Sequence, residues 1–177
     1  MLKKILTGLG GFLVAFVAVV ATQPGAYKVT RTTNIAAPPE AVFNLINDFH
    51  QWEGWSPWAK LDPTMKTTYS GAPTGPGAKY HWLGNSEVGE GRMTILSTEP
   101  PNVVKVNLEF IKPFESESIT TFRLAPDGTG TRVEWMMEGQ SVFLMKAFML
   151  FTSMDSTVGP DFERGLSQMK QLAEAKK

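Results

Sequence analysis

The side chains best suited to moving a proton in this sequence are Asp48, His50, His81, Glu90, Glu134 and Asp161. An acid–base reaction on a bound organic molecule needs one such group within hydrogen-bond reach of the reacting atom. Asp48, His81 and Glu134 are the catalytic candidates carried forward. Strand parity sets His81 opposite Tyr80 and Trp82, and Glu134 opposite Val133, Trp135 and Met137. Both faces of these two segments carry bulky groups, so the pattern does not decide which face is inside. No pair of histidines has metal-ligand spacing, so no metal site is expected. There is no G-x-S-x-G, and Gly71–Gly77 lacks the Lys-Ser/Thr of a phosphate loop. With no dinucleotide fingerprint either, no cofactor is expected. The chain has no cysteine, which excludes disulfides and thiolate chemistry.

The second chemical resource is apolar area. Five tryptophans, eleven phenylalanines and nine methionines are a heavy load for one domain. Trp52, Trp55 and Trp58 fall close together in a stretch that Pro57 keeps from being a strand. This stretch reads as a bent helix–loop segment, either a plug for one end of the core or the wall of an apolar pocket. The candidate ligand-lining set is Trp52, Trp55, Trp58, Trp82, Phe110, Trp135, Phe162 and Leu166.

These residues need a scaffold, and the C-terminal stretch Gly159–Lys177 organises it. Val158, Phe162, Leu166, Met169 and Leu172 recur at helical spacing, and Pro160 suits a first helical position. Gly165 borders that stripe, so sheet or ligand is expected to press close there. Before it, Tyr27–Ile35 alternates as a strand, and Ala37-Pro38-Pro39-Glu40 opens a helix with Val42, Leu45, Ile46 and Phe49 inward. Further strands are expected at Met65–Ser70, Ala78–Leu83, Gly89–Ser97, Val103–Ile111, Glu115–Leu124 and Thr131–Glu138. Alternation is clearest in Val104, Val106, Leu108 and Phe110, so one face of this antiparallel sheet is buried. Val142–Phe151 reads as a short helix, and Met154–Thr157 as a break before the last one. The fold class is therefore α+β: a seven-stranded curved antiparallel sheet wrapped around a long C-terminal helix. Such a container is expected to leave an internal apolar cavity.

Residues 1–25 stand apart from a single domain at 26–177. Lys3 and Lys4 precede Ile5–Ala21, an uncharged and almost wholly apolar run. It has the length of a transmembrane anchor, and Val19-Val20-Ala21 also resembles the cleavage site of a secretory signal. The domain is accordingly expected on the extracytoplasmic side, membrane-anchored if the segment is kept, secreted or periplasmic if it is cleaved. Lys+Arg and Asp+Glu balance at 17 each, so nothing favours a nucleic-acid partner.

The chain resembles the polyketide cyclase/dehydrase-like branch of the START-like (SRPBCC) superfamily. The resemblance rests on Ala37–Glu40, Asn47-Asp48-Phe49, Trp52, Trp55-Ser56-Pro57-Trp58, Asp62-Pro63 and Tyr69-Ser70-Gly71. It continues through Tyr80, Trp82-Leu83-Gly84-Asn85, Trp135, Met154-Asp155, Asp161-Phe162-Glu163 and Gly165-Leu166. It implies the helix-grip fold. Together with the residues it leaves three readings open: carriage of a hydrophobic small molecule or lipid, for which the aromatic and methionine load speaks; a cyclase- or dehydrase-type reaction; and an interaction or stress module, since large apolar residues usually fill a core.

Overall fold

The computed structural model describes residues 2–175, with side chains described from residue 9 onward. Helix α1 (Leu2–Thr22) leads into β1 (Ala26–Ile35), α2 (Pro39–Asn47) and a 3-10 helix at Phe49–Gly54. Six strands follow: β2 (Lys66–Gly71), β3 (Ala78–Leu83), β4 (Glu90–Glu99), β5 (Val103–Lys112), β6 (Ser116–Asp127) and β7 (Gly130–Gln140). Helices α3 (Phe143–Phe148) and α4 (Met154–Glu174) close the chain. The strands form one antiparallel sheet in the order β1-β7-β6-β5-β4-β3-β2, so the first strand returns to pair with the last. This is the sheet wrapped around a C-terminal helix expected from the residue pattern, and the helix-grip fold that the family resemblance implies.

The core lies between the concave face of the sheet and α2, the 3-10 helix and α4. Period-two alternation sends Val104 and Val106 inward from β5, and Val133, Trp135 and Met137 from β7. Helix α4 buries Phe162, Leu166, Met169 and Ala173 along one stripe. Gly165 sits on that stripe because a Cβ there would lie 2.8 Å from Trp135 and 3.0 Å from Pro57. What presses on it is sheet and loop.

One boundary differs from the sequence expectation. Met154–Thr157 is the first turn of α4, and Pro160 lies inside the helix. The Ser153 side chain accepts from the Ser156 N–H, and the Ser156 hydroxyl accepts from the Ser153 N–H, a reciprocal cap that starts the helix earlier. A tertiary clamp then holds the weakened turn. Arg31 crosses over Gly159, where a Cβ would collide with its guanidinium, and donates to Asp155 at 2.7 Å and Glu163 at 2.7 Å. These partners hold the Arg31 pKa well above its usual value, with Asp155 the larger influence, and they hold the Asp155 carboxyl below its usual range.

Helix α1 covers the N-terminal apolar run, although the side chains of Lys3, Lys4 and Ile5 lie outside the described residues. Among the described residues no helix is long and apolar enough to cross a membrane. Leu9, Phe12, Leu13 and Val14 are exposed, while Val20 is fully buried, and α1 contacts α3.

Candidate functional site

Two cross-strand rows on the concave face divide the interior. The first runs Val104–Phe122–Trp135–Arg31 across β5, β6, β7 and β1. Trp135 stacks on Phe162 of α4 at 4.0 Å with the rings 9° apart, and Trp55 meets both Trp135 and Phe122 edge-on. Trp55, Trp135, Phe162 and Leu166 are all essentially inaccessible. These four expected ligand-lining residues are packed against one another beneath α4. Trp58, half-buried, meets Trp135 and Phe162 edge-on at the border of the same cluster.

The second row is Tyr69–Tyr80–Met93, across β2, β3 and β4. Here the covering layer is incomplete and a half-open cleft of about 380 Å³ remains. Its walls are Phe49, Trp52, Tyr69, Tyr80 and Met93, and its rim carries Glu53, Ser56, Lys60, Asp62 and Thr67. Trp52 is the member of the expected lining set that reaches the cleft. Trp82 stacks beside Tyr80 at 6.0 Å and Phe110 meets Trp82 at 5.9 Å, so this aromatic ladder runs on from the cleft along the concave face.

Indole N–H groups build the covering layer. Trp52 Nε1 donates to the Ile46 carbonyl at 2.8 Å and Trp55 Nε1 to the Leu45 carbonyl at 2.9 Å. Both carbonyls belong to the last turn of α2, where helical partners run out. The tryptophans thus cap α2 while filling the core. Trp82 Nε1 donates to the Val88 carbonyl at 3.0 Å, leaving these three indoles no free donor for a ligand.

Polar chemistry at the cleft comes instead from the two tyrosines. Burial pushes the Tyr80 hydroxyl up to about 12, with Tyr69 and Glu53 adding to the shift. Burial likewise raises Tyr69, partly offset by a hydrogen bond with Thr67. Both stay protonated at neutral pH, so they offer hydrogen-bond donors rather than bases. Asp62 is spent on structure. Its carboxylate accepts from the Thr64 hydroxyl at 2.7 Å, the Thr64 N–H at 2.8 Å and the Asn85 N–H at 2.7 Å, and these bonds hold its pKa below the usual range. It ties the cleft's rim to the β3–β4 turn. Gly84 allows this, since a Cβ there would strike Val88 and approach Asp62.

The catalytic candidates lie elsewhere. Parity resolves with Tyr80 and Trp82 inside, so His81 is on the convex face, 3.2 Å from Glu90. Glu90 also pairs with Lys112 at 2.6 Å, and Lys112 first, then His81, lowers its pKa. Glu134 is on the same outer face, 3.8 Å from Arg123. Asp48 caps the 3-10 helix, accepting from the His50 N–H and paired with the His50 ring at 2.9 Å each. Burial works to raise its pKa, but the bonds from His50 and Gln51 outweigh it and the net shift is downward. Asp48 borders a second recess of about 440 Å³ outside α2, whose walls carry no aromatic ring. The three candidates are therefore dispersed, and none lines the cleft. Among the described residues no group of three or more His, Asp or Glu is placed to hold a metal ion.

Residues 26–174 match the family model described as polyketide cyclase / dehydrase and lipid transport. The chain belongs to that family. Solved structures agree on the fold. A Mesorhizobium loti protein superposes with a TM-score of 0.62 at 19% identity, over 85% of this chain and 99% of its own. A Chromobacterium violaceum protein gives 0.61 at 18% identity, over 83% of this chain and 96% of its own. A Staphylococcus aureus protein of unknown function gives 0.63 at 14% identity, over 87% and 97%. No curated protein matches the chain. Membership of the polyketide cyclase/dehydrase and lipid transport family bears out the resemblance read from the Trp-Ser-Pro-Trp and Asp-Phe-Glu segments.

Proposed function

We propose that the protein binds a hydrophobic small molecule or lipid in the cleft over the Tyr69–Tyr80–Met93 row, and that α1 tethers the domain to a membrane on its extracytoplasmic side. The observation that carries the ligand reading is the cleft itself. Its volume of about 380 Å³ falls in the range of small-molecule sites, and its rings and thioether offer adaptable apolar contact. The protonated Tyr69 and Tyr80 hydroxyls supply the few polar anchors that orient such a ligand. The position of Asp48, His81 and Glu134 outside the cleft favours carriage over a cyclase- or dehydrase-type reaction. The tether reading is supported by the uncharged run Ile5–Ala21 after two lysines and by the exposed apolar side chains of α1.

Native mass spectrometry of the full chain purified from cells, followed by organic extraction, tests the first half. A bound apolar molecule is expected in wild type and is expected to be lost from Met93→Trp, whose indole would occupy the cleft. No co-purifying molecule, together with no displaceable binding of an apolar dye, would overturn the reading. The mass of the mature N-terminus tests the tether: an intact Lys3–Ala21 supports it, and a start after Ala21 refutes it.

A further inference from the structure

The large apolar side chains that the domain leaves exposed are unevenly placed. The register puts Gln140 of β7 opposite Ala26, Gly139 beside Ser118, and Phe110 beside Ser116, so these strand ends share one end of the sheet. Leu83 joins them through Glu90 and Lys112. At this end Phe114 is 49% exposed, and the β7–α4 connection exposes Phe143, Leu144, Phe148 and Phe151, the last two at 59% and 86%. From Ser141 to Met154 the chain carries one cation, Lys146, and no carboxylate. Large apolar side chains exposed together at one end of a domain mark an interaction site.

The same end is where α1 enters. Only Gln23, Pro24 and Gly25 separate Thr22 of α1 from Ala26 of β1. Even fully extended, that connection reaches roughly 14 Å. The Ser141 N–H donates to the Gly25 carbonyl at 2.7 Å, and a Cβ on Gly25 would lie 3.1 Å from the Lys146 side chain. Helix α3 is therefore fastened to the linker and packed against α1. With α1 tethered to a bilayer, this geometry gives the domain no freedom to stand away from it.

We propose that this end of the domain is a membrane-docking face, with Val142–Phe151 and Phe114 seated among lipid headgroups and the upper acyl chains. The inference rests on the tether reading for α1. Lipid suits the patch better than a protein partner does. Aromatic and aliphatic tips beside a single lysine match the apolar-to-anionic gradient of a bilayer interface, where the lysine stem extends toward phosphate. The rim of the cleft at Met65, next to Lys66 in its pairing with Leu83, lies at this same end. Docking would thus bring the cleft close to the source of an apolar ligand.

The absence of cysteine makes the test direct. Single variants Phe148→Cys, Phe151→Cys, Val14→Cys and Asp127→Cys of the full chain are labelled with an environment-sensitive fluorophore. They are reconstituted in phosphatidylcholine–phosphatidylglycerol vesicles containing nitroxide-labelled lipid. Asp127 belongs to the hairpin at the far end of β7, roughly 30 Å from α3 at strand rise, and serves as the solvent control. Labels at 148 and 151 are expected to shift to the blue and to be quenched several-fold more than at 127. Labels at 148 and 151 as unquenched as 127, with the label at 14 quenched, would overturn the docking face and leave the tether standing. An unquenched label at 14 as well would sink both. A blue shift at 148 and 151 that persists in detergent without lipid quenching would assign the face to a second copy of the chain and overturn the proposal.

Discussion

Gly165→Ala separates a packed interior beneath α4 from a hollow one, because two effects of known size oppose each other there. Replacing a mid-helix glycine with alanine stabilises by about 1 kcal/mol when the methyl has room. Here the methyl would lie 2.8 Å from Trp135 Cζ3 and 3.0 Å from Pro57 Cδ. Neither neighbour is the free end of a flexible chain. Trp135 is held between Phe162 at 4.0 Å and Phe122 at 5.0 Å, with Trp55 on its edge. Forcing a methyl into such a contact costs roughly 1–3 kcal/mol. The steric cost wins, leaving the variant about 1 kcal/mol less stable, or about 2–4 °C lower in Tm for a chain of this size. Urea unfolding of the full chain in a mild detergent, with wild type alongside, reads the difference. A double-mutant cycle adds the decisive control. Trp135→Phe removes the six-membered-ring atoms that block the methyl, so the two substitutions should couple favourably by about 1 kcal/mol. If Gly165→Ala alone gains the full helical increment and the cycle shows no coupling, the space under α4 is open and the packed reading is wrong.

Three further outcomes follow from the site. Asp62 has its pKa depressed by the Thr64 and Asn85 bonds, so its contribution is fully present above the ordinary carboxylate value near 3.8 and is lost as pH falls through the folded value. Asp62→Asn should therefore be less stable at neutral pH and should approach wild type in acid; parallel stability–pH curves would refute this assignment. His81→Gln and Glu134→Gln alter the convex face only, so affinity for an apolar dye should stay within about 2-fold of wild type, since exposed polar changes move energies by only about 0.5 kcal/mol. A loss of tenfold or more in either, measured by fluorescence titration, would return these residues to the site. Trp55→Phe keeps the ring in the cluster but orphans the Leu45 carbonyl, and unfolding should show a loss of roughly 1–3 kcal/mol.

Much of this architecture is legible in local patterns. The alternation of Val104, Val106, Leu108 and Phe110 marks a strand and its inner face, although Leu108 is only half-buried and Phe110 at the strand end is exposed, and Phe162, Leu166 and Met169 mark the buried stripe of α4. The start of α4 is not legible in that way. A Gly-Pro pair reads as punctuation, and what carries the helix through it is Arg31, a residue distant in sequence. The tryptophan segment announces itself, yet its division of labour does not. Phe49, Trp52, Trp55 and Trp58 are spaced by threes, the period of a 3-10 helix, although the helix observed ends at Gly54. Local sequence therefore assigns them a common fate, and only their depth against the sheet separates the wall of a cleft from the centre of a core. Tyr69, Tyr80 and Met93 are not legible as a group because they come from three strands, and only the register makes them a row.

The position of the cleft follows from the widths of the two layers. Seven strands at about 4.8 Å spacing present a face roughly 29 Å across, whereas a helix with its side chains is about 10–12 Å wide. Helix α4 packs on β1 and seals the β7–β6 side with the Trp55–Trp135–Phe162 stack. It cannot also cover β2, β3 and β4. That duty falls to the 3-10 helix and the loop through Pro63, an irregular layer whose rings are pulled toward α2 by their own N–H bonds. Free volume consequently collects over the strands farthest from α4, where the sheet's own tyrosines and methionine face it. A helix-grip sheet can be solid under its long helix and still hold a ligand, provided the short covering segment leaves the opposite edge incompletely closed. Closing that segment onto Tyr80 would remove the cleft while leaving the fold intact.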